Sequence, residues 1–251
     1  PGLMVRFERE QRLPWRTRIA TGIIKWCLNN FKKYVFLTEA MNVVNERKRP
    51  YIVMEGMSDR FMATYKRPFE AKDIKVVMYA GGLHERYGLK KLTEAFMMLP
   101  QENFRLKLFG SGPFVEKLKT KYTKKDSRIQ YMGVAPNAEV VAAELDASLL
   151  VNPRPTHEEF TKYSFPSKNI EYMASGTPLL TTKLPGMPKE YYPYVFLIEN
   201  ESVEGYAKAL ESVLAQSDEE LYVFGEKAKD FVLEKKNSFE QAKRVIELIK
   251  L

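Results

Sequence analysis

VVMYAGGLHERYGLKKLTEAF, residues 76–96, is the stretch on which the fold turns. Val76–Ala80 is a short apolar run closed by Gly81-Gly82, the pattern of a buried strand. Helical spacing follows from about Leu89 to Leu99. The same unit then recurs. Arg105–Phe109 (RLKLF) runs through Gly110-Ser111-Gly112-Pro113 into a helix over Phe114–Lys121. Ile129–Met132 runs through Gly133 into a helix over Asn137–Leu145. Ala147–Val151 (ASLLV) runs through a long polar loop into a helix over Ser167–Ser175. Leu179–Thr182 and Phe196–Ile198 read as two more strands. Helices at about 202–215 and 218–250 close the chain, the second broken near Asn237-Ser238. This alternation predicts βαβ units of right-handed connection. The fold class is α/β, a parallel sheet with helices on both faces.

Working outward toward the N-terminus, residues 64–75 are polar, contain Pro68 and read as a linker. Tyr51–Met54 and Tyr34–Thr38 read as short strands. Residues 8–33 have helical character after Pro14, with Trp15, Ile19, Ile23, Trp26 and Phe31 at three- and four-residue steps. Arg16, Arg18, Lys25, Lys32 and Lys33 are interleaved with them. A basic amphipathic helix can lie on anionic lipid. Such a stripe more often packs onto a core, and packing is the expectation.

Composition narrows the function classes. The 251 residues are 45% hydrophobic and 29% charged, an ordinary globular mix that excludes global disorder, collagen and coiled coil. Cys27 is the one cysteine, so an internal disulfide and a Cys-based zinc or iron–sulfur site are excluded. It reads as a small core residue, and a reducing compartment fits. His84 and His157 sit in polar loops without metal-ligand spacing, so no metal is expected. No run approaches the ~20 apolar residues of a membrane span, and no signal-peptide pattern opens the chain. Its start at Pro-Gly-Leu, without Met, reads as a processed chain or a piece of a longer one.

The net charge of +8 is uneven. Residues 1–70 hold 14 Lys+Arg against 7 Asp+Glu, whereas residues 71–251 hold 26 against 25. A nucleic-acid-binding protein is disfavoured by that near-neutral second part. An anionic membrane surface or anionic partner meeting residues 9–33 is one reading of the first; a solvated basic face is the other.

Ligands of open parallel sheets bind beyond the C-terminal strand ends. Four loops lie there. Gly81-Gly82 lets backbone approach a ligand, and Arg86 could grip a phosphate. Gly110–Pro113 is either a ligand loop or a tight turn. Arg154, between Pro153 and Pro155, is placed to meet an anion. The fourth stretch, YSFPSKNIEYMASGTP (163–178), is the strongest. Pro166 suits a helix start, and Gly176 with Pro178 suits its stop. Free N–H groups at Ser167 and Lys168, the helix dipole and the Lys168 ammonium make an anion site. Glu171 lies ~6 Å further along the axis, placed to accept from ribose hydroxyls. An ordinary capped helix with a solvent-facing Glu fits the same residues.

Taken together, the stretches at 79–96, 108–113 (LFGSGP), 129–134 (IQYMGV) and 165–191 (FPSKNIEYMASGTPLLTTKLPGMPKEY) resemble the C-terminal, donor-binding domain of glycosyltransferase family 4. The resemblance implies one Rossmann-like half of the two-domain GT-B fold. It implies transfer of a sugar from a nucleotide sugar to an acceptor hydroxyl, with retention at the anomeric carbon and without metal or other cofactor. By the same resemblance, Gly81, Gly82, Arg86, Arg154, Phe165, Ser167 and Lys168 bind the donor diphosphate, and Glu171 binds the ribose. Gly110, Ser111, Gly112 and Gly133 form loops around the nucleotide. Residues 71–251 are then the donor domain, and residues 1–70 a remnant of the acceptor-binding N-terminal domain with the interdomain segment.

The chain departs from the family pattern in places. Tyr163 stands where the first of two paired glutamates is usual, leaving Glu159, Tyr163 and Ser164 as candidates for contact with the donor sugar. Gly82 and Tyr87 replace a usual Arg and Lys, and Arg86 is the preferred substitute. Most of an acceptor domain is missing, so the chain reads as a fragment or as the partner of a separate N-terminal half. The implied setting is cytoplasmic synthesis of a polysaccharide or glycolipid, peripheral on the inner membrane face, with a lipid-linked acceptor. The competing reading is a non-catalytic nucleotide-sugar-binding module that completes a partner transferase.

Overall fold

The computed structural model describes residues 14–67 and 69–251. Residues 9–13 of the basic N-terminal stretch and Pro68 of the linker lie outside them. A helix α1 (Trp15–Leu28) leads into two short parallel strands, β1 (Tyr34–Phe36) and β2 (Tyr51–Val53). Six parallel strands follow: β3 (Lys75–Ala80), β4 (Phe104–Phe109), β5 (Ile129–Gly133), β6 (Leu149–Asn152), β7 (Leu179–Thr182) and β8 (Phe196–Ile198). Their order is β5-β4-β3-β6-β7-β8. Strand order therefore reverses between β3 and β6, which opens a crevice at their C-terminal ends.

Alternation along the strands fills two cores. On β3, Val77 and Tyr79 point to one face, into a core shared with Leu89, Leu92 and Phe96 of α2 (Leu89–Phe96). Val76, Met78 and Ala80 point to the other. There they meet Ile170 and Met173 of the helix at Ser167–Ser175. A strand buried on both faces needs a continuous apolar run, as VVMYA supplies.

The connections are helical. After β4 the chain winds α3 (Phe114–Lys117), one π-helical stretch at Leu118–Tyr122, and α4 (Thr123–Lys125), in place of the single helix expected. Then come α5 (Asn137–Asp146), α6 (Ser167–Ser175), α7 (Val203–Leu214), α8 (Asp218–Lys235) and α9 (Ser238–Lys250). The break between α8 and α9 falls at Asn237, whose side chain accepts from the N–H groups of Phe239 and Glu240 and so caps α9.

That break returns the chain to the first sheet. Ser58 N–H donates to the Lys236 carbonyl (2.8 Å), Gln241 donates to the Gly56 carbonyl (3.0 Å), and Arg244 to the Val53 carbonyl (2.8 Å). The Lys236 ammonium lies 2.6 Å from Glu55 and from Glu190, and the Tyr191 hydroxyl donates to Glu55 at 2.6 Å. Glu55, Lys236 and Tyr191 are all buried.

Two expectations fail in the first 67 residues. The α1 stripe does not pack: Trp15, Ile19, Ile23 and Trp26 are 57–67% exposed, and Phe31 is exposed too. The face turned inward carries Ile24 and Leu28, which pack on Tyr34, Phe36 and Val44. Cys27, one step round the helix, is exposed rather than buried. Both corrections have one cause: the small cluster around Tyr34 can cover only one narrow face of α1.

Candidate functional site

The crevice at the reversal point contains a cleft of about 220 Å³. Ala80 and Gly81 at the end of β3, Phe109 and Gly110 at the end of β4, and Val134 and Ala135 after β5 form one side. Asn137, Val140 and Glu144 of α5 and Lys168 and Glu171 of α6 complete it. Its size is below that of a pocket enclosing a whole drug-sized ligand, so it holds part of one.

Glycine conformation creates the phosphate end. Gly81 has φ +151°, and a Cβ there would lie 2.4 Å from Lys168 Cε and 3.1 Å from its Nζ. The Lys168 side chain thus lies directly over bare backbone. Gly110 has φ +121°, and a Cβ there would sit 1.9 Å from the Gly81 carbonyl oxygen. The two loops can therefore touch main chain to main chain. Gly81 N–H donates to the Phe109 carbonyl, and Gly110 N–H to the Gly133 carbonyl (2.9 and 2.7 Å).

Helix α6 is anchored at the same place. Tyr172 Oη accepts from Ala80 N–H (2.8 Å) and donates to the Ala80 carbonyl (3.1 Å), satisfying both backbone groups at the strand end. Burial holds the Tyr172 phenol well above its ordinary range, so it stays neutral. Asn152 Nδ2 donates to Asn169 Oδ1 at 2.5 Å, joining α6 to the end of β6. Pro166 precedes the first helical turn and supplies no side-chain cap. The N–H groups of Ser167 and Lys168 have no partner within the helix, while Asn169 N–H turns back to the Pro166 carbonyl (2.9 Å). An anion is suited to that end.

Further cations stand around the Gly81-Gly82 turn. The Arg154 guanidinium is 4.9 Å from the Tyr87 ring centroid and 5.5 Å from that of Phe160. Its Nε is buried with no hydrogen-bond partner. Burial, and then nearby Arg86, pushes its pKa down. Arg86 is exposed and lies over the Tyr87 ring at 5.2 Å. Tyr79, whose hydroxyl donates to the Gly82 carbonyl (3.1 Å), is pushed up to about 12 by burial.

Of the residues singled out in the sequence, Gly81, Gly110, Lys168 and Glu171 line the cleft. Ser167 is exposed at the start of α6. Ser111 and Gly112 serve loop packing: the Ser111 carbonyl accepts from Leu83 N–H (2.8 Å), and a Cβ at Gly112 would meet the Leu83 carbonyl oxygen at 2.3 Å. Phe165 needs correction as a diphosphate ligand. Its ring is buried 5.0 Å from the Tyr191 ring, in the core, and only its backbone belongs to the turn. Tyr163 is likewise 99% buried, and neither it nor Glu159 nor Ser164 lines the cleft. Ser164 Oγ donates to the Phe160 carbonyl (3.0 Å), and Glu159 sits on a 3-10 turn, Glu159–Lys162. His84 packs edge-on against Tyr87, and His157 is exposed, 3.9 Å from Glu201.

The sequence reading passed over Glu144. It is 1% exposed, and its Oε2 has no hydrogen-bond partner. Burial first, and then the charge of Glu171, push its carboxyl up to about 8, against the opposing effect of Lys168. The one available signal was an acid within the apolar run VVAAEL.

Comparison with known proteins gives a consistent picture. The family described as "Glycosyl transferases group 1" matches residues 63–249. A curated relative from Escherichia coli K12, "Putative colanic acid biosynthesis glycosyltransferase WcaL", is 30% identical over 112 residues. That alignment covers 43% of this chain and 27% of the relative. Among solved structures, sucrose-phosphate synthase from Thermosynechococcus elongatus superposes with a TM-score of 0.72 at 19% identity, over 96% of this chain and 62% of that one. Anabaena HepE, in complex with UDP and glucose, gives 0.68 at 14% identity, over 94% and 67%. These two show likeness of fold. The chain thus spans about a quarter of the curated relative and under two thirds of the synthase.

Proposed function

The chain belongs to the group 1 glycosyl transferases, and from that premise we propose that it binds a nucleotide sugar in the cleft between α5 and α6 for transfer of the sugar to an acceptor hydroxyl. One observation carries this reading. The uncapped start of α6, the Lys168 ammonium over Gly81, and the Glu171 carboxylate converge on a single cleft. A diphosphate meets the first two, and a ribose diol donates to the third. As the bond from the anomeric carbon to the diphosphate oxygen breaks, negative charge gathers on the leaving nucleoside diphosphate. Lys168, the α6 amides and Arg154 stand ready to meet it, in a fixed arrangement that needs no reorganisation. In this scheme those cations supply the charge that a metal ion would otherwise supply. Assignment to family 4 and retention of configuration rest on the sequence resemblance.

We further propose that residues 14–67 belong to an acceptor-binding half completed elsewhere. Supporting this is the exposed apolar face of α1, which residues 14–251 leave uncovered. The basic residues around it support a reading in which the acceptor side meets an anionic surface, with a lipid-linked acceptor at the inner membrane face. Among the described residues no helix is long and apolar enough to cross a membrane.

The test is incubation of the purified chain with UDP-, GDP- and ADP-sugars, following thermal stability and release of the nucleoside diphosphate. A bound donor raises the melting temperature by mass action, and slow release with α-configured product sugar supports a retaining transferase. Stabilisation with no release assigns the chain as a binding module that completes a partner. No stabilisation by any of them contradicts the reading.

A further inference from the structure

We propose that Glu144 is a specificity-determining residue of this cleft, whose carboxyl group meets the nucleoside portion of the bound nucleotide as a hydrogen-bond donor while Glu171 beside it accepts. The inference rests on the nucleotide-sugar reading above and adds a residue to it.

The geometry carries the argument. Glu144 lines the cleft together with Glu171 and Lys168, yet it is 99% buried and Oε2 has no partner. A buried polar atom without a partner calls for one, and a ligand in the adjoining space is the direct way to provide it. The backbone around it is fixed: its carbonyl accepts from Thr177 Oγ1 at 2.7 Å. Lys168 lies over Gly81, at the phosphate end. Glu144 shares α5 with Asn137 and Val140, beside Val134 and Ala135, where the cleft wall becomes apolar and suits the nucleoside.

Its protonation state fits the role. The ionisable groups that act on Glu144 are Glu171 and Lys168 of α6, and Tyr172 of the same helix stays neutral. With a pKa of about 8, Glu144 is mostly a neutral acid at pH 7, able to donate as well as accept. Ionisation removes the donor and sets a second negative charge beside Glu171, so nucleotide affinity falls as pH rises through that value. Binding an acceptor atom to the neutral form moves the transition to higher pH.

Calorimetric titration of UDP, GDP, ADP and inorganic pyrophosphate into the whole chain, from pH 6.5 to 9.5, tests this. Wild type should lose about 10-fold in affinity for its preferred nucleoside diphosphate between pH 7 and 9.5. Glu144→Gln keeps a donor, and its affinity should stay level across that range. It also carries the same phosphate ionisation and so controls for it. Glu144→Leu should bind the nucleotide about 10-fold more weakly at pH 7 and pyrophosphate as well as wild type does. If wild type and Glu144→Gln share one pH profile, or if Glu144→Leu binds the nucleotide normally or loses pyrophosphate equally, the role assigned to Glu144 is overturned while the cleft assignment stands. If wild type binds none of the nucleotides, both fall.

Discussion

The six-stranded unit holds its strands between two extensive cores, whereas residues 14–67 build one small cluster. In the first, β3, β6 and β7 are buried almost end to end between two cores. In the second, one small cluster around Tyr34, Phe36 and Val44 supports a helix whose largest side chains, Trp15 and Trp26, face outward. Charge divides in the same way, with 14 Lys+Arg against 7 Asp+Glu before residue 71 and near balance after it. Each of these strands finds its sheet neighbours in the same chain, even where Val77 of β3 pairs with Leu149 of β6, 72 residues on. A helix that presents its apolar face away from its only small core is shaped for a surface supplied by something else.

What ties the two together is the buried group of Glu55, Lys236 and Tyr191, and breaking it should have the largest effect. Lys236→Met leaves the Glu55 carboxylate buried without its cation, at a cost of about 3–5 kcal/mol. Chemical denaturation should show this loss. Unfolding of residues 14–67 ahead of the rest, followed by the fluorescence of Trp15 and Trp26, would sharpen the contrast between the units. Unchanged stability would refute the link.

Glu144→Gln comes next, and it acts within the six-stranded unit. The folded carboxyl titrates at about 8, above its ordinary range, so the native state holds the extra proton between the two values. Native stability therefore falls as pH rises from about 4.5 to 8 and is level above that. At ~1.4 kcal/mol per pKa unit, the cost by pH 7 is on the order of 3 kcal/mol. Glu144→Gln should melt several degrees above wild type at pH 8, and the gap should close by pH 5.

A smaller effect is expected at the ligand. Glu171→Ala removes an acceptor for a ribose hydroxyl and should weaken nucleoside diphosphate binding about 10- to 100-fold with little change in pyrophosphate binding. The smallest effect on stability belongs to α1. Replacing Trp15, Ile19, Ile23 and Trp26 with Ser should shift the melting temperature little, since exposed substitutions cost ~0.5 kcal/mol or less each. Those substitutions should abolish association with whatever covers the face. Flotation with anionic and zwitterionic vesicles reads this directly: recovery with anionic vesicles alone assigns the face to a membrane, and recovery with neither leaves it to a separate acceptor half. A large loss of stability would mean that the face is packed after all.

How much of this was legible in the sequence follows from the same contrast. VVMYA and ASLLV announce buried strands because both faces must be apolar, RLKLF announces one by its alternation, and the glycines after VVMYA and RLKLF announce their loops. The 163–178 stretch gave the start and stop of α6 to the residue, because Pro166 and Gly176 act locally. What depended on distant packing was not legible. The α1 periodicity shows that an apolar face exists, and only the three-dimensional arrangement shows that it points outward. Arg86 and Lys168 are both plausible phosphate cations on paper, and the bare backbone of Gly81 is what brings Lys168 to the cleft. Phe165 reads as part of a binding turn, yet Tyr191, 26 residues on, draws its ring into the core. Glu144 looks like one more surface acid on a helix until α6 packs over it.

In the proposed complex a nucleoside diphosphate lies on the first turn of α6 with its ribose on the next. A crystal structure of the chain with the nucleoside diphosphate that stabilises it most tests this directly. Phosphate oxygens should lie within hydrogen-bond distance of the Ser167 and Lys168 amides and the Lys168 ammonium, and ribose hydroxyls on Glu171. Ligand density anywhere else, with this turn bare, would contradict it.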